Sequence, residues 1–396
     1  MQCSYFDAHL CRSCSQMGVP YASQLARKDA EARELLAGYT SVRWLDPVAS
    51  PESAFRNKAK MVVGGSVQSP TLGIVSRDGL GIDLVECGLY DARLSATFPV
   101  LRALIQRASL TPYNIVTRRG ELKNILVTLA PDGELMVRFV LRSKKLMVPI
   151  RREIPWLQEQ LPQLRVVSVN LLRDPVALVE GEEEIILSED HTLPMRLTVG
   201  AEDSRGGDLL LYLRPQSFFQ TNTQIAEALY SRAQHWIRQV QPVSLWDLYC
   251  GVGGFALAAA QVLGDQAQIW GVELSEEAMM SASCSANELG LSNMNLVAGD
   301  ATEFALNAAV RGDVVPQLLV VNPPRRGVGK ELARWVEQSG IEHVVYSSCN
   351  ARSLAKDLAI LRSYEPVEAQ VLDMFPQSTH YEVITLLRRR ADPAEA

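Results

Sequence analysis

The C-terminal half of the chain alternates between helical periodicity and short, continuous apolar runs. Helical spacing runs through TQIAEALYSRAQHWIRQV, and apolar runs of strand length follow in SLWDLYC, QIWGVEL, NLVAGD, QLLVVNPP and HVVYSSCN. Strands that are buried on both faces read as continuous apolar runs, and the helices between them cover a parallel sheet. The pattern predicts an α/β fold with an open, mostly parallel, Rossmann-like sheet over residues 206–396.

The first 205 residues carry β-type runs that are separated by turn residues. NILVTLA and ELMVRFVL are joined through PDG, which predicts a hairpin with Asp132 and Gly133 in its turn. Helical spacing interrupts these strands in SQLARKDAEARELLAGY and PVLRALIQRASL. We predict a β-rich α+β region, divided into a cysteine-rich part (1–90) and a central part (91–205). The polar stretch AEDSRGGD (201–208) marks its end.

Hydropathy and charge restrict the classes of protein to which this chain can belong. The chain has 396 residues and a net charge of −6, and no apolar stretch approaches the roughly 20 residues of a membrane helix. No basic segment opens a secretory signal, so we expect a cytoplasmic protein without a membrane partner. Residues 138–152 nevertheless carry six basic side chains and no acidic one. They are either solvated strand faces or part of an RNA-binding central region, because phosphate contact needs only a local basic surface.

Seven cysteines fall into two groups. Cys3, Cys11, Cys14 and Cys87 lie in the first quarter of the chain, and the other three lie in the last third. Disulfides are rare in a reducing cytoplasm, so the first group is interpreted as a set of metal ligands. Four thiolates suit either zinc or an iron–sulfur cluster, and the residues alone favour zinc.

A glycine-rich loop follows the first strand of the C-terminal half. In DLYCGVGGF (247–255), glycines such as Gly251 let the backbone bend tightly and approach a ligand. Glu273 ends the next strand, where a carboxylate accepts hydrogen bonds from ribose hydroxyls, and Asp300 ends a third strand near an adenine edge. The loop matches neither a dinucleotide fingerprint nor a P-loop. A nucleoside without a pyrophosphate fits best, and S-adenosylmethionine (SAM) is the commonest such ligand.

Two further loops carry candidate chemistry. VNPPRRG (321–327) places a rigid Asn-Pro-Pro turn at the carboxyl end of a strand. Enzymes that methylate exocyclic amines follow this turn with an aromatic residue, and Arg325 in its place argues against them. In VVYSSCN, Cys349 stands where a strand runs into a loop, which suits a nucleophile facing a ligand crevice better than a packed core thiol.

Several motifs resemble those of the RNA uracil-C5 methyltransferases. They are FFQTN (218–222), DLYCGVGGF, GVEL, VNPPRRG, VVYSSCN and HYEVITLL (380–387), in order along the C-terminal half. The resemblance implies SAM contacts through Gln220, Tyr249, Glu273 and Asn322, beside Gly251. It also implies that the Cys349 thiolate adds to C6 of uracil, and that Glu382 removes the C5 proton after methylation.

The N-terminal cysteines resemble the [4Fe–4S] ligand set of the family members that act on 23S ribosomal RNA. Cys3 is almost the first residue, which resembles the shorter rRNA branch and implies uridine 747 of 23S rRNA as the target. MQCSYFD and FRNKAKMVV are also similar to that branch. Radical-SAM enzymes use Cys-x3-Cys-x2-Cys, which is absent, so the cluster is expected to be structural or RNA-facing. We expect a monomer.

Other functions remain open at this point. A different rRNA uridine or a tRNA uridine changes only the substrate of the same reaction. A protein of another class, a non-catalytic iron–sulfur RNA-binding protein, would retain the nucleotide fold without using Cys349 or Glu382.

Overall fold

The structure is a computed structural model. It describes residues 1–76, 78–79, 81–174, 176, 178–200, 207–311 and 314–391. The α-helices in this part of the chain are α1 (Ser4–Asp7), α2 (Tyr21–Leu35), α3 (Ala92–Ser95), α4 (Thr97–Arg107), α5 (Met147–Gln160), α6 (Thr223–Val240), α7 (Gly254–Leu263), α8 (Glu276–Glu288), α9 (Ala301–Arg311), α10 (Gly329–Ser339) and α11 (Ala351–Leu358).

The strands form two large sheets and one pair. They are β1 (Arg43–Trp44), β2 (Lys58–Gly65), β3 (Pro70–Val75), β4 (Gly81–Asp83), β5 (Leu122–Leu129), β6 (Leu135–Leu141), β7 (Leu164–Leu171), β8 (Glu183–Ile186), β9 (Leu193–Val199), β10 (Gly207–Leu213), β11 (Ser244–Leu248), β12 (Gln268–Glu273), β13 (Met294–Ala298), β14 (Leu318–Val321), β15 (His343–Ser348), β16 (Tyr364–Leu372) and β17 (Glu382–Arg389). β9 pairs with β10 alone.

The chain divides into two compact units. Unit 1 consists of residues 1–14, 52–196 and 213–216, and unit 2 consists of residues 15–51, 197–212 and 217–396. The boundaries expected at residues 90 and 205 stay predictions, and residue 205 lies outside the described residues. Strands on both sides of residue 90 share one sheet, and residues 15–51 group with the C-terminal half.

Unit 1 is built on a seven-stranded sheet in the order β4-β3-β2-β5-β6-β7-β8. The expected hairpin is present, because β5 and β6 pair antiparallel and Gly133 in their turn has φ +96°. β6 and β7 run parallel, and α5 provides the crossover that a parallel pair requires. The apolar residues of α4 and α5 pack with those of the sheet in one continuous core.

The basic stretch 138–152 does not form a uniformly solvated face. Arg138 on β6 is 1% exposed and donates to both carboxylate oxygens of Glu184, at 3.0 and 2.7 Å. It also forms an ion pair with Glu180 at 2.6 Å. Burial of a guanidinium is tolerated only with such partners, so Arg138 is a structural residue and not a phosphate contact. Arg151 and Arg152 on α5 are exposed.

Unit 2 is built on an eight-stranded sheet in the order β1-β16-β17-β15-β14-β11-β12-β13. The five strands from β15 to β13 are parallel, which confirms the predicted α/β sheet. β17 departs from this pattern, because it lies antiparallel between β15 and β16. In the core, Trp246 stacks on Trp335 with ring centroids 5.9 Å apart.

Residues 15–51 complete the far edge of this sheet. β1 pairs in parallel with β16 through Arg43↔Glu368 and Trp44↔Ala369. α2 packs beside β16 and α11. The segment that directly follows the N-terminal cysteines is therefore part of unit 2. None of the helices in the described part of the chain has the length and apolar character needed to cross a bilayer.

Candidate active site

The loops that carry the candidate residues follow parallel strands. Because parallel strands end at the same edge of a sheet, the residues after β11, β12, β14 and β15 meet at one crevice. The glycine loop follows β11, Glu273 ends β12, Asn322 follows β14, and Cys349 follows β15.

The glycine loop is closed by Glu273. Gly251 N donates to one oxygen of the Glu273 carboxylate at 3.1 Å, and Ser275 N donates to the other at 3.2 Å. Tyr249, Gly251 and Gly253 all have positive φ, between +55° and +84°. Each carboxylate oxygen accepts more than one hydrogen bond, so Glu273 retains capacity for ribose hydroxyls.

Asp247, at the end of β11, was not singled out from the sequence. Its side chain is fully buried, and one oxygen accepts from Ala256 N at 2.9 Å. The other oxygen, Oδ1, has no hydrogen-bond partner among the described residues. Burial raises the pKa of Asp247 to about 8. The sequence feature that could have indicated Asp247 is an acidic residue within an apolar strand, directly before the glycine loop.

Close packing requires a glycine at the first residue of α7. A Cβ on Gly254 would lie 2.4 Å from the phenol oxygen of Tyr230. The Tyr230 ring meets Phe255 edge to face, with centroids 5.0 Å apart. The third glycine of the loop therefore serves helix packing.

Two of the other predicted SAM contacts lie in the loops after β11 and β14, and the third precedes α6. Tyr249 is half-buried, burial raises the pKa of its phenol, and its hydroxyl bonds the Thr302 side chain. Asn322 is half-buried after β14. Gln220 is buried two residues before Asn222, which caps α6 by accepting from Ile225 N at 3.4 Å.

Cys349 and Glu382 are brought together by the antiparallel pairing of β15 and β17. Ser348 faces Val383 in this pairing, so the next residue of one strand, Cys349, reaches Glu382 at the start of the other. Burial raises the pKa of the Cys349 thiol, and the nearby Glu382 charge raises it further. Arg325 opposes both through its charge and a hydrogen bond, but the pKa stays above its ordinary value. Burial therefore outweighs the effect of the arginine on the pKa of this thiol.

Glu382 has the properties of a general base. It is 3% exposed, and its Oε2 has no hydrogen-bond partner within the described ranges. Burial raises its pKa to about 8, against a smaller lowering by Arg325. A carboxylate with a pKa near neutrality is a far better proton acceptor than one in water.

Asn350 and Asp357 hold the Asn-Pro-Pro loop beside Cys349. Asn350 Nδ2 donates to the Arg325 carbonyl at 3.0 Å, and Asp357 Oδ2 accepts from Val328 N at 2.9 Å. Tyr346 donates to the same Asp357 oxygen at 2.6 Å. Gly327, with φ +84°, leaves room for this carboxylate. These contacts were not predicted, because their partners lie in elements and loops that are well separated in the sequence.

A cavity of about 460 Å³ opens at Cys349. Its lining includes Arg325, Cys349, Arg352, Thr379, His380 and Tyr381. Glu31 on α2 also lines it, and it forms an ion pair with Arg352 at 2.6 Å. The volume lies within the range of small-molecule pockets. Glu31 could not be associated with this site from its position in the sequence.

The four N-terminal cysteines lie in unit 1 and are half-buried, with free thiols. Burial raises the pKa of Cys14 to about 11, and the charges of Cys87, Cys11 and Cys3 add to this effect. Each of the three other thiols is thus near enough to influence the pKa of Cys14. Within the described residues, no three or more His, Cys, Asp or Glu side chains form a group able to hold a metal ion.

The fold and this crevice define an α/β methyltransferase. The structure is similar to that of a Pyrococcus abyssi tRNA (uracil-54, C5)-methyltransferase in complex with S-adenosyl-L-homocysteine, with a TM-score of 0.74 and 20% identity. The similarity covers 94% of this chain and 85% of that one. At this identity it establishes the fold alone.

Sequence comparisons identify the family. The tRNA (Uracil-5-)-methyltransferase family model matches residues 182–390. A 23S rRNA (uracil(747)-C(5))-methyltransferase RlmC of Yersinia pestis (strain Pestoides F) is 47% identical over 391 residues, which are 98% of this chain and 100% of the relative. The protein of the same name from Yersinia pseudotuberculosis serotype I (strain IP32953) is 46% identical over the same coverage. The chain belongs to the uracil-C5 methyltransferase family, which confirms the resemblance.

Proposed function

We propose that this enzyme transfers the methyl group of SAM to C5 of uridine 747 in 23S rRNA. The target comes from the relatives, which match this chain over nearly its full length and are named for that nucleotide. The single observation that carries the mechanism is the juxtaposition of Cys349 and Glu382 across β15 and β17, beside an open cavity.

Cys349 is the nucleophile in this proposal. Uracil C5 is a weak nucleophile, and addition of a thiolate to C6 gives C5 the electron density of an enolate. Arg325 favours the thiolate form through its charge and hydrogen bond. Bound SAM supplies an electrophilic methyl group, which C5 accepts. An adduct methylated at C5 and bonded through C6 to sulfur results.

Glu382 completes the reaction as a base. Its carboxylate takes the C5 proton, the C5–H electron pair forms the C5–C6 double bond, and the C6–S pair returns to Cys349. The free Oε2 and the pKa of about 8 suit this step.

SAM is held at the glycine loop in this proposal. The proposed contacts at the loop ends of the parallel sheet are Tyr249, Gly251, Glu273 and Asn322, and Gln220 before α6 is the fifth. Glu273 would accept the ribose hydroxyls, and the backbone at Gly251 would allow close approach. The site is built within unit 2.

Cys3, Cys11, Cys14 and Cys87 are proposed to hold a [4Fe–4S] cluster. Their support is the chemistry of the donor set, because all four are free thiols that lie in unit 1. The same unit would bind RNA through exposed basic residues of the central region. Arg118, Arg119, Arg151 and Arg152 are exposed there and suit phosphate contacts.

The deciding experiment mixes the purified protein and SAM with 23S rRNA fragments that contain 5-fluorouridine. Fluorine cannot leave C5 as a proton, so the methylated adduct stays bonded to Cys349 through denaturation. Mapping the cross-linked peptide and nucleotide tests the nucleophile and the target together. Cys349→Ala is the control and should form no adduct.

Other outcomes separate the alternatives. An adduct at another 23S nucleotide, or only with tRNA, keeps the chemistry and replaces the substrate. RNA binding without any adduct on either RNA would leave a non-catalytic iron–sulfur RNA-binding protein.

A further inference from the structure

α2 buries two polar side chains against the segment that leads into Glu382. Gln24 is fully buried and Lys28 is 2% exposed. Burying a charge or an amide is costly without a partner. Both side chains find their partners in residues 373–381, hereafter the hinge segment, which connects β16 to β17.

Lys28 fixes the start of the hinge segment. Its ammonium donates to Asp373 Oδ1 at 2.6 Å and to the Phe375 carbonyl at 3.1 Å. Asp373 is itself fully buried. A buried ion pair of this kind holds one geometry firmly, because loss of either partner leaves an unpaired buried charge.

Gln24 fixes the middle of the same segment. Gln377 N donates to Gln24 Oε1 at 3.0 Å, and Gln24 Nε2 donates to Gln377 Oε1 at 3.1 Å. Gln16 N donates to the Gln377 carbonyl at 3.0 Å. Gln377 has φ +64°, which a non-glycine residue adopts only when its surroundings impose it.

The end of the hinge segment reaches the cavity. Thr379, His380 and Tyr381 line it, and Glu382 follows directly. Burial lowers the pKa of His380, and the charges of Arg325 and Lys28 lower it further. Cys349 directly follows β15 and lies outside the hinge segment.

We propose that Lys28 and Gln24 are positioning residues that hold the hinge segment so that the Glu382 carboxylate faces the C5 proton. This role rests on the proposed function, in which Glu382 acts only after methyl transfer. The contacts of Lys28 and Gln24 with the hinge segment therefore serve the step that follows methyl transfer, which is removal of the C5 proton. Loosening them slows proton removal and release of the thiolate, whereas C6 addition and methyl transfer at Cys349 continue.

The test uses the double variant Lys28→Met/Asp373→Asn, which removes both charges together and avoids an unpaired buried ion. Methyl transfer from labelled SAM is followed in a single turnover, and C5 proton release is followed with 23S rRNA fragments carrying 5-tritiated uridine. We expect proton release to slow about 10–100-fold, as for a base displaced by about 1 Å. Single-turnover methyl transfer should stay near the wild-type rate. An RNA–protein adduct on ordinary uridine should survive denaturation.

If these residues served folding alone, their loss would not slow proton release while leaving methyl transfer unchanged. Equal slowing of methyl transfer and proton release without an adduct would overturn the proposal, as would wild-type proton release. Gln24→Met, which removes the contacts to Gln377 without touching a charge, is measured in parallel. If the double variant does not fold, the same two outcomes decide the proposal in Gln24→Met.

Glu382→Gln separates the inference from the proposed function. This variant should accumulate the methylated adduct and release no tritium. If it does so and neither Lys28→Met/Asp373→Asn nor Gln24→Met accumulates the adduct, only the role of Lys28 and Gln24 fails. If Glu382→Gln turns over normally, the assignment of the base fails and the inference fails with it.

Discussion

At the scale of single residues, burial sets the chemistry of the candidate site. Glu382 and Cys349 both have raised pKa values, and burial is the largest cause for each. Neither group is ionised at low pH, and in the proposed mechanism each acts in its ionised form. The charges also oppose each other, because an ionised Glu382 makes the thiolate harder to form. Arg325 reduces this conflict by favouring both anions.

The pH dependence follows from the sign of these shifts. A base with a pKa of about 8 becomes active as the pH rises through that value, so C5 proton release should be about tenfold or more faster at pH 8.5 than at pH 6.5. Tritium release from 5-tritiated uridine measures it, with circular dichroism confirming the fold at each pH. A flat profile, or one that falls with pH, would refute Glu382 as the base.

Residues in strand-end motifs were predictable, and buried polar partners were not. Cys349 and Glu273 stand at the ends of apolar runs, and the sheet edge follows from that pattern alone. Lys28 and Asp373 are 345 residues apart, and a lysine in ARKDAEAREL is typical of a solvated helix. The same holds for Arg138. Its sequence context indicated an exposed basic residue, and nothing in that context reveals its buried partner Glu184.

At the scale of elements, the Asn-Pro-Pro loop is fixed by atoms from other strands and helices. A Cβ on Gly327 would lie 2.3 Å from Asp357 Oδ2, the oxygen that also accepts from Tyr346 and Val328. The loop that carries Arg325 therefore depends on a residue of α11. The sequence predicted a rigid proline turn here, but not the carboxylate that anchors it.

Gly327→Ala tests this anchor, and Gly340→Ala is its matched control. Both glycines have positive φ, +84° and +80°, but a Cβ on Gly340 meets nothing within 4 Å. We expect Gly340→Ala to cost roughly 1 kcal/mol of unfolding free energy for its φ alone. Gly327→Ala adds the clash and should cost about 3 kcal/mol or more, with slower adduct formation at Cys349. Urea unfolding measures both. Equal losses would argue against the anchor.

At the scale of the whole molecule, the two candidate ligand sites belong to different units. The four N-terminal cysteines lie in unit 1, and the glycine loop lies in unit 2. The parallel sheet and its crevice were predictable from periodicity. The sequence did not predict that residues 15–51 belong to unit 2, because the strand that pairs with β1 comes more than 300 residues later.

Loss of the proposed cluster should therefore spare SAM binding. Cys14→Ser is expected to lower the iron content and the urea midpoint, because a structural metal site contributes folding free energy. The affinity for S-adenosylhomocysteine, measured by calorimetry, should change no more than about twofold, because the proposed SAM residues lie in the other unit. Cys284→Ser on α8 is the control and should retain the iron. Lost nucleoside binding in Cys14→Ser, or iron equal to wild type, would contradict this prediction.

The pairing of β1 with β16 also dictates when unit 2 can form during synthesis. Arg43 and Glu368 are 325 residues apart, a delay of roughly 16–65 s at 5–20 residues per second. For most of this interval α2 and β1 lie outside the ribosome, while β16, Asp373 and Gln377 have not yet been synthesised. A chain that ends before residue 364 therefore has no strand with which β1 can pair. The order of translation makes synthesis of the residues from 364 onward the step that commits the enzyme to its native state.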